Sequence, residues 1–226
     1  MPLLLEPYSQ QNARWPQSGR HIMAQYDAAS IMVYQAYRPA IGRYALENQR
    51  FGGEFSFNRM SWIKPNFLWM MYRCGWATKP DQEIVLGIRL KREGFGQILA
   101  AAVHASYVPE VYPDQDAWKS ALATSDVRLQ WDPDHSPTGE PLNRRAIQLG
   151  MRGQILRQYA TDWLIEIVDV TPLALEQSAN IRADRRSLLQ LPREAVYPIA
   201  DPNVARRLGA DEIVSDSLLP SAQPMQ

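Results

Sequence analysis

Residues 66–74, Asn-Phe-Leu-Trp-Met-Met-Tyr-Arg-Cys, constrain the fold of this chain more than any other stretch. Pro65 precedes the run and Gly75 follows it, a helix start and stop. On a helix, Phe67, Met70, Met71 and Cys74 share one face, while Leu68, Trp69 and Tyr72 cover much of the rest. A helix that is apolar nearly all round has to be buried, so other elements must surround it. It does not read as a membrane span. The wider stretch 62–76 carries Lys64 and Arg73, and no segment has the uninterrupted apolar length a bilayer requires.

The surroundings are expected to be strands alternating with short helices. Residues 83–90 alternate cleanly, with Ile84, Leu86, Ile88 and Leu90 on one side and Val85, Gly87, Arg89 and Lys91 on the other. Further strands are expected at 31–37, 59–63, 127–131, 145–149 and 163–170. Helices are expected at 39–48, 66–74, 97–104 and 153–160, with a turn of helix at 118–122 and a last helix capped by Thr171. The composition of 132–139 reads as a loop. Together these give a mixed α+β fold with a central mixed or antiparallel sheet and short helices. The length of 226 residues, with 46% hydrophobic and 21% charged, suits one globular domain. Residues 1–20 read as a loosely ordered lead-in, 21–200 as the single α+β domain, and 201–226 as a partly flexible tail with a helix at 202–208.

Charge and cysteine narrow the function. Lys plus Arg and Asp plus Glu are both 24, which argues against a strongly basic nucleic-acid sheath but not against a local basic groove. One cysteine excludes an intrachain disulfide framework and a thiolate cluster, and with three scattered histidines no metal is expected. The N-terminal apolar run, Leu3 to Leu5, is too short for a signal core. A cytoplasmic protein without a membrane segment is the expectation.

Four clusters have the residue types of a ligand site. In Arg59-Met60-Ser61-Trp62-Ile63-Lys64-Pro65-Asn66, Lys64 stands at a helix start that attracts anions, Arg59 adds charge, and Trp62 can stack on a flat ring. The alternative is that Trp62 is core and the cations are ion-paired. Trp69, Tyr72, Arg73 and Trp76 form an aromatic surface with an interleaved cation, or a packed Met/Trp core. Gln35 and Tyr37 share one strand face, where a buried Gln needs partners from a ligand or from the protein. Gln130-Trp131-Asp132-Pro133 with Arg144, Arg145 and Gln148 can bind a polar ligand or form solvated pairs, and His135 lies beside them. Dinucleotide, phosphate-loop, serine-hydrolase and zinc-protease motifs are absent from the sequence.

The string from Arg59 to Arg73, with Val33 to Tyr37, Gln130 to Pro133 and Arg145 to Gly150, resembles the family of domains of unknown function DUF4291 over about residues 21–200. A more distant resemblance is to the ADP-ribosyltransferase superfamily. Its order of a first strand, a helix and a Gly-Phe-like turn is followed here by 33–37, 39–48 and Phe51-Gly52. Its nicotinamide-stacking Tyr falls at Tyr72. Gln35 stands where His or Arg is usual, and no carboxylate occurs at 145–148, where the catalytic Glu belongs. That resemblance implies NAD as substrate. Gln35 and one carboxylate among Glu83, Asp132 and Glu166 would be catalytic. Tyr37, Arg59, Trp62, Lys64, Trp69, Tyr72, Arg145 and Gln148 would bind the dinucleotide. A nucleic acid or small nucleotide would be the acceptor. Two other readings stay open: a non-enzymatic nucleic-acid-binding module, and a protein-interaction domain using a Met/Trp surface.

Overall fold

The computed structural model describes residues 2–211. In chain order its elements begin with β1 (Leu5–Pro7), α1 (Tyr8–Arg14), β2 (Gly19–Arg20), β3 (Met23–Ala24), β4 (Ser30–Tyr37), α2 (Pro39–Asn48), β5 (Ser61–Ile63) and α3 (Phe67–Cys74). They continue with β6 (Ile84–Lys91), α4 (Arg92–Ala101), β7 (Ala102–His104), α5 (Gln115–Thr124), β8 (Val127–His135), β9 (Pro141–Met151) and α6 (Gly153–Thr161). The last are β10 (Leu164–Asp169), α7 (Thr171–Arg182), β11 (Gln190–Pro192), β12 (Ala195–Val196) and α8 (Pro202–Leu208).

The fold is mixed α+β, but the expected single central sheet is two. β10, β6 and β4 form an antiparallel sheet in that order. A curled mixed sheet runs β2–β9–β8–β7, with β5 also paired to β9. In it β2 and β7 run parallel to their neighbours. The two sheets meet at a seam, where Tyr34 N–H donates to the Lys64 carbonyl (2.7 Å) and Lys64 N–H to the Tyr34 carbonyl (3.1 Å).

Strand alternation sets what each face buries. Ile31 and Val33, Leu86 and Ile88, and Leu129, Ile147 and Leu149 fill one core. Met32, Tyr34 and Val85 face the other way and pack with Phe67, Leu68, Met70 and Met71 of α3 and Ala174 of α7. Each such side chain contributes about 1.5–3 kcal/mol relative to exposure. α3 contacts both β4 and β8, so it lies across the seam. That explains its apolar circumference. Asn66 caps it, accepting from Trp69 N–H at 2.7 Å, and Gly75 ends it at φ 59°.

Several expectations fail for tertiary reasons. The lead-in contains β1, α1 and β2. Gln11 and Trp15 are buried, tied to Leu191 and Glu194 near the other end of the chain. The helix expected at 97–104 begins at Arg92, with Gly94 in close contact with Trp163, and residues 102–104 leave it to pair with β8. The loop expected from 132 is strand to His135. Pro133 sits opposite Arg145, and the register shifts before His135. Thr171 does not cap its helix; its hydroxyl accepts from Val85 N–H at 2.9 Å. Helix α8 lies where the tail was expected to hold one, and the rest of the tail lies outside the described residues.

Candidate functional site

The seam aims side chains in opposite directions. Ser61 and Ile63 of β5 point into the core, so Trp62 and Lys64 point out of it. Beside them β9 presents Gln148 and Gly150, and β8 presents Gln130 and Asp132, in a register that sets Trp62 opposite Gly150 and Gln130 opposite Gln148. Gln148 Nε2 donates to Gln130 Oε1 at 2.8 Å and to Asp132 Oδ2 at 2.7 Å, fixing that carboxylate from one side. Gly150 is required by close approach. A Cβ there would stand 2.8 Å from Trp62 Cε2 and 2.7 Å from Met60 Sδ. The indole therefore lies on the strand as a wall.

Lys64 is only 8% exposed, yet its ammonium has no hydrogen bond or ion pair among the described residues. Burial is the main cause pushing its pKa down to about 8, and the charge of Arg73 adds to it; Cys74 and Asp132 act the other way. A buried charge without a partner costs stability. Lys64 thus brings a nitrogen without a protein partner to a groove, the strip of β5–β9–β8 surface beside α3 that Trp62, Gln148 and Asp132 share.

At the other end of that groove α3 rests on β8 through three rings. Tyr72 and His135 stack with centroids 3.5 Å apart, and Trp69 lies parallel to both at 5.5 and 5.3 Å. Trp69 Nε1 and His135 Nδ1 are sealed from solvent without a partner. Burial lowers the His135 pKa, favouring the neutral imidazole. Tyr72 stays 42% exposed and Arg73 is exposed, so this end is open.

Of the residues singled out in the sequence, Trp62, Lys64, Asp132 and Gln148 come together, with Trp69 and Tyr72 reached along α3. The others stand apart. Gln35 donates to Ser61 Oγ (2.9 Å) and the Trp62 carbonyl (3.1 Å) and accepts from Tyr159 (2.6 Å). Tyr37 shares a 2.8 Å hydrogen bond with Ser61. Both have hydrogen-bond partners within the inter-sheet core, on the side of β5 opposite Lys64. Arg59 is exposed and near enough to Tyr37 to act on its hydroxyl. Arg145 is exposed and alternates with Gln148 onto the opposite face of β9. Glu83 accepts from Asp81 N–H in a turn, and Glu166 pairs with Arg89 on the other sheet at 3.1 Å. Asp132 is the one of the four catalytic candidates in the groove. The Met/Trp surface is largely interior: Met70, Met71 and Trp69 are buried.

Sequence reading also missed Glu194, and took Arg144 for a ligand-binding or solvated cation without its buried partner. The anion drawn to the N-terminus of α3 is the chain's own Glu194. It accepts from Phe67 N–H at 2.6 Å and from Asn66 Nδ2 at 3.2 Å, across 127 and 128 residues. Burial pushes its pKa up to about 8. Arg144 and Asp134, both buried, make a two-point pair at 2.8 and 2.6 Å; Arg144 also donates to the Pro16 carbonyl and lies over Trp15. No local spacing signals either group, because their partners are distant in sequence or lie across a strand register.

Two open clefts of about 310 and 480 Å³ lie away from this groove, sharing Tyr197 and Ile199. In them Arg92 lies between Tyr26 and Tyr197 and Asp211 accepts from Arg20 N–H, while His21 Nδ1, on the lining of the larger one, is buried without a partner. Among the described residues no group of three or more His, Cys, Asp or Glu could hold a metal, and no helix is long and apolar enough to cross a membrane.

Against known proteins, residues 21–197 match the model of a domain of unknown function, DUF4291. No curated protein matches the chain. The family match takes in both sheets apart from β2, and every groove residue from Trp62 to Gln148, and on it the chain belongs to the DUF4291 family.

Proposed function

We propose that the chain binds a nucleotide in the groove between α3 and β8–β9. The observation that carries this reading is Lys64, a nine-tenths-buried side chain whose amine has no protein partner, on the strand face that also carries the Asp132 carboxylate fixed by Gln148. A ligand anion would supply the missing partner, with Arg73 adding a second cation at the rim. Trp62 offers a flat face for a base or nicotinamide ring, while Tyr72 already stacks on His135. In the form that the distant ADP-ribosyltransferase resemblance implies, the ligand is NAD and the reaction is glycosyl transfer. Asp132 then takes the part of the carboxylate that holds a ribose hydroxyl and steadies positive charge developing at the ribose carbon. Gln148 keeps that carboxylate oriented.

Thermal melting with and without millimolar NAD or ADP-ribose tests the binding, since a ligand at about 100 times its Kd stabilises by roughly 2.7 kcal/mol. An upward shift that is lost in Lys64→Met, with nicotinamide released by the wild type and not by Asp132→Asn, supports the reading. No shift in the wild type overturns the binding. A shift without nicotinamide release leaves a binding module and overturns the transfer.

A further inference from the structure

We propose that Lys64 is a covalent site, its side-chain amine forming an imine with an aldehyde or ketone carried on an anionic ligand in the groove. The chain has four lysines: Lys64, Lys79, Lys91 and Lys119. Three are exposed; Lys79 donates to the carbonyls of Tyr72 and Arg73, and Lys119 pairs with Asp116. Lys64 alone combines burial with an unengaged nitrogen.

The neighbours supply what imine formation needs. The amine must be uncharged to attack, and burial with an adjacent cation favours that form. Arg73 is that cation, and it stays charged to hold the ligand's anionic group. The charged or titratable groups acting on Lys64 are Arg73 and Cys74 from α3 and Asp132 from β8. Asp132, the carboxylate among them, would carry the protons. In the reaction the Nζ lone pair attacks the carbonyl carbon and the carbonyl oxygen gains a proton. The amine's protons pass through the carboxylate to that oxygen, which departs as water as the C=N bond forms. No electrons are exchanged with a further reactant. An open-chain sugar phosphate, with its aldehyde and phosphate, has the required chemistry.

The inference rests on the proposed function only in taking the groove as a site for an anionic ligand. The test uses the full chain with ribose 5-phosphate, and separately with pyridoxal 5′-phosphate as an aldehyde probe. Borohydride reduction fixes any imine, and peptide mapping locates it. The expected result is one adduct per chain at Lys64, in more than about tenfold excess over Lys79, Lys91 and Lys119 at pH 8, because only Lys64 stands where the ligand would be held against an amine. Equal labelling of the four lysines, or none at Lys64, overturns the proposal without any variant being needed. Lys64→Arg, which keeps the cation, is expected to lose the adduct. A nucleotide-induced thermal shift with no trapped adduct overturns the imine and leaves nucleotide binding. An adduct with no nucleotide shift does the reverse.

Discussion

Two buried cations stand on or beside the same pair of strands and are treated in opposite ways. Arg144 on β9 is 1% exposed, and its guanidinium is occupied by Asp134, the Pro16 carbonyl and the Trp15 ring. Lys64, beside β9 at the sheet seam, is 8% exposed with no such partner. Burial alone therefore does not mark a functional residue. Arg144 locks the N-terminal segment and β8 onto β9, and its chemistry is used up. The Lys64 backbone joins the two sheets, but its amine holds nothing in place, and its chemistry is still available.

The largest effect that would break this comparison is at Arg144. Arg144→Met leaves Asp134 buried and alone, and removing one partner of a buried pair costs about 3–5 kcal/mol. Urea denaturation should show that loss; a change near zero would mean the pair is dispensable. Lys64→Met should go the other way and raise stability at pH 7 by on the order of 3 kcal/mol. Its pKa in the folded chain is about 8, below the ordinary 10.5, so both folded and unfolded chains are protonated at pH 7 and the cost is fully felt. Between pH 8 and 10.5 the unfolded chain binds the extra proton, so wild-type stability climbs relative to Lys64→Met through that window. Denaturation midpoints of the two proteins across that range check the sign.

Smaller changes sharpen the contrast between core and groove. Tyr159→Phe removes the hydrogen bond to Gln35 and leaves that buried oxygen unpaired, at about 1–3 kcal/mol. Nucleotide binding should be unchanged, since the network lies on the far side of β5. A loss of binding at unchanged stability would return Gln35 to the site. Gly150→Ala should cost roughly 1 kcal/mol as Trp62 swings off the strand. Its main effect should be a weakened nucleotide titration with a shifted tryptophan emission.

What the sequence made legible follows from the range of each interaction. Helix 66–74 and strand 83–90 were readable because their patterns are local: flanking Pro and Gly for one, strict alternation for the other. Lys64, Trp62 and Asp132 could be picked out by residue type. Their placement in one groove depends on the β5–β9–β8 register, which no local pattern encodes. Gln35 and Tyr37 looked equally suited to a ligand, and Ser61 and Tyr159 are the partners they find in the core. The order in residues 5–20 went unseen because its stabilising partners, Leu191 and Glu194, lie some 180 residues away.

Paired thermal melts of the wild type and Lys64→Met at pH 7, each with and without saturating NAD, bear most directly on the whole reading. The variant is expected to melt higher than the wild type in buffer and not to respond to the nucleotide, beside a wild type that does. A variant that melts lower, or that responds as the wild type does, would contradict that reading.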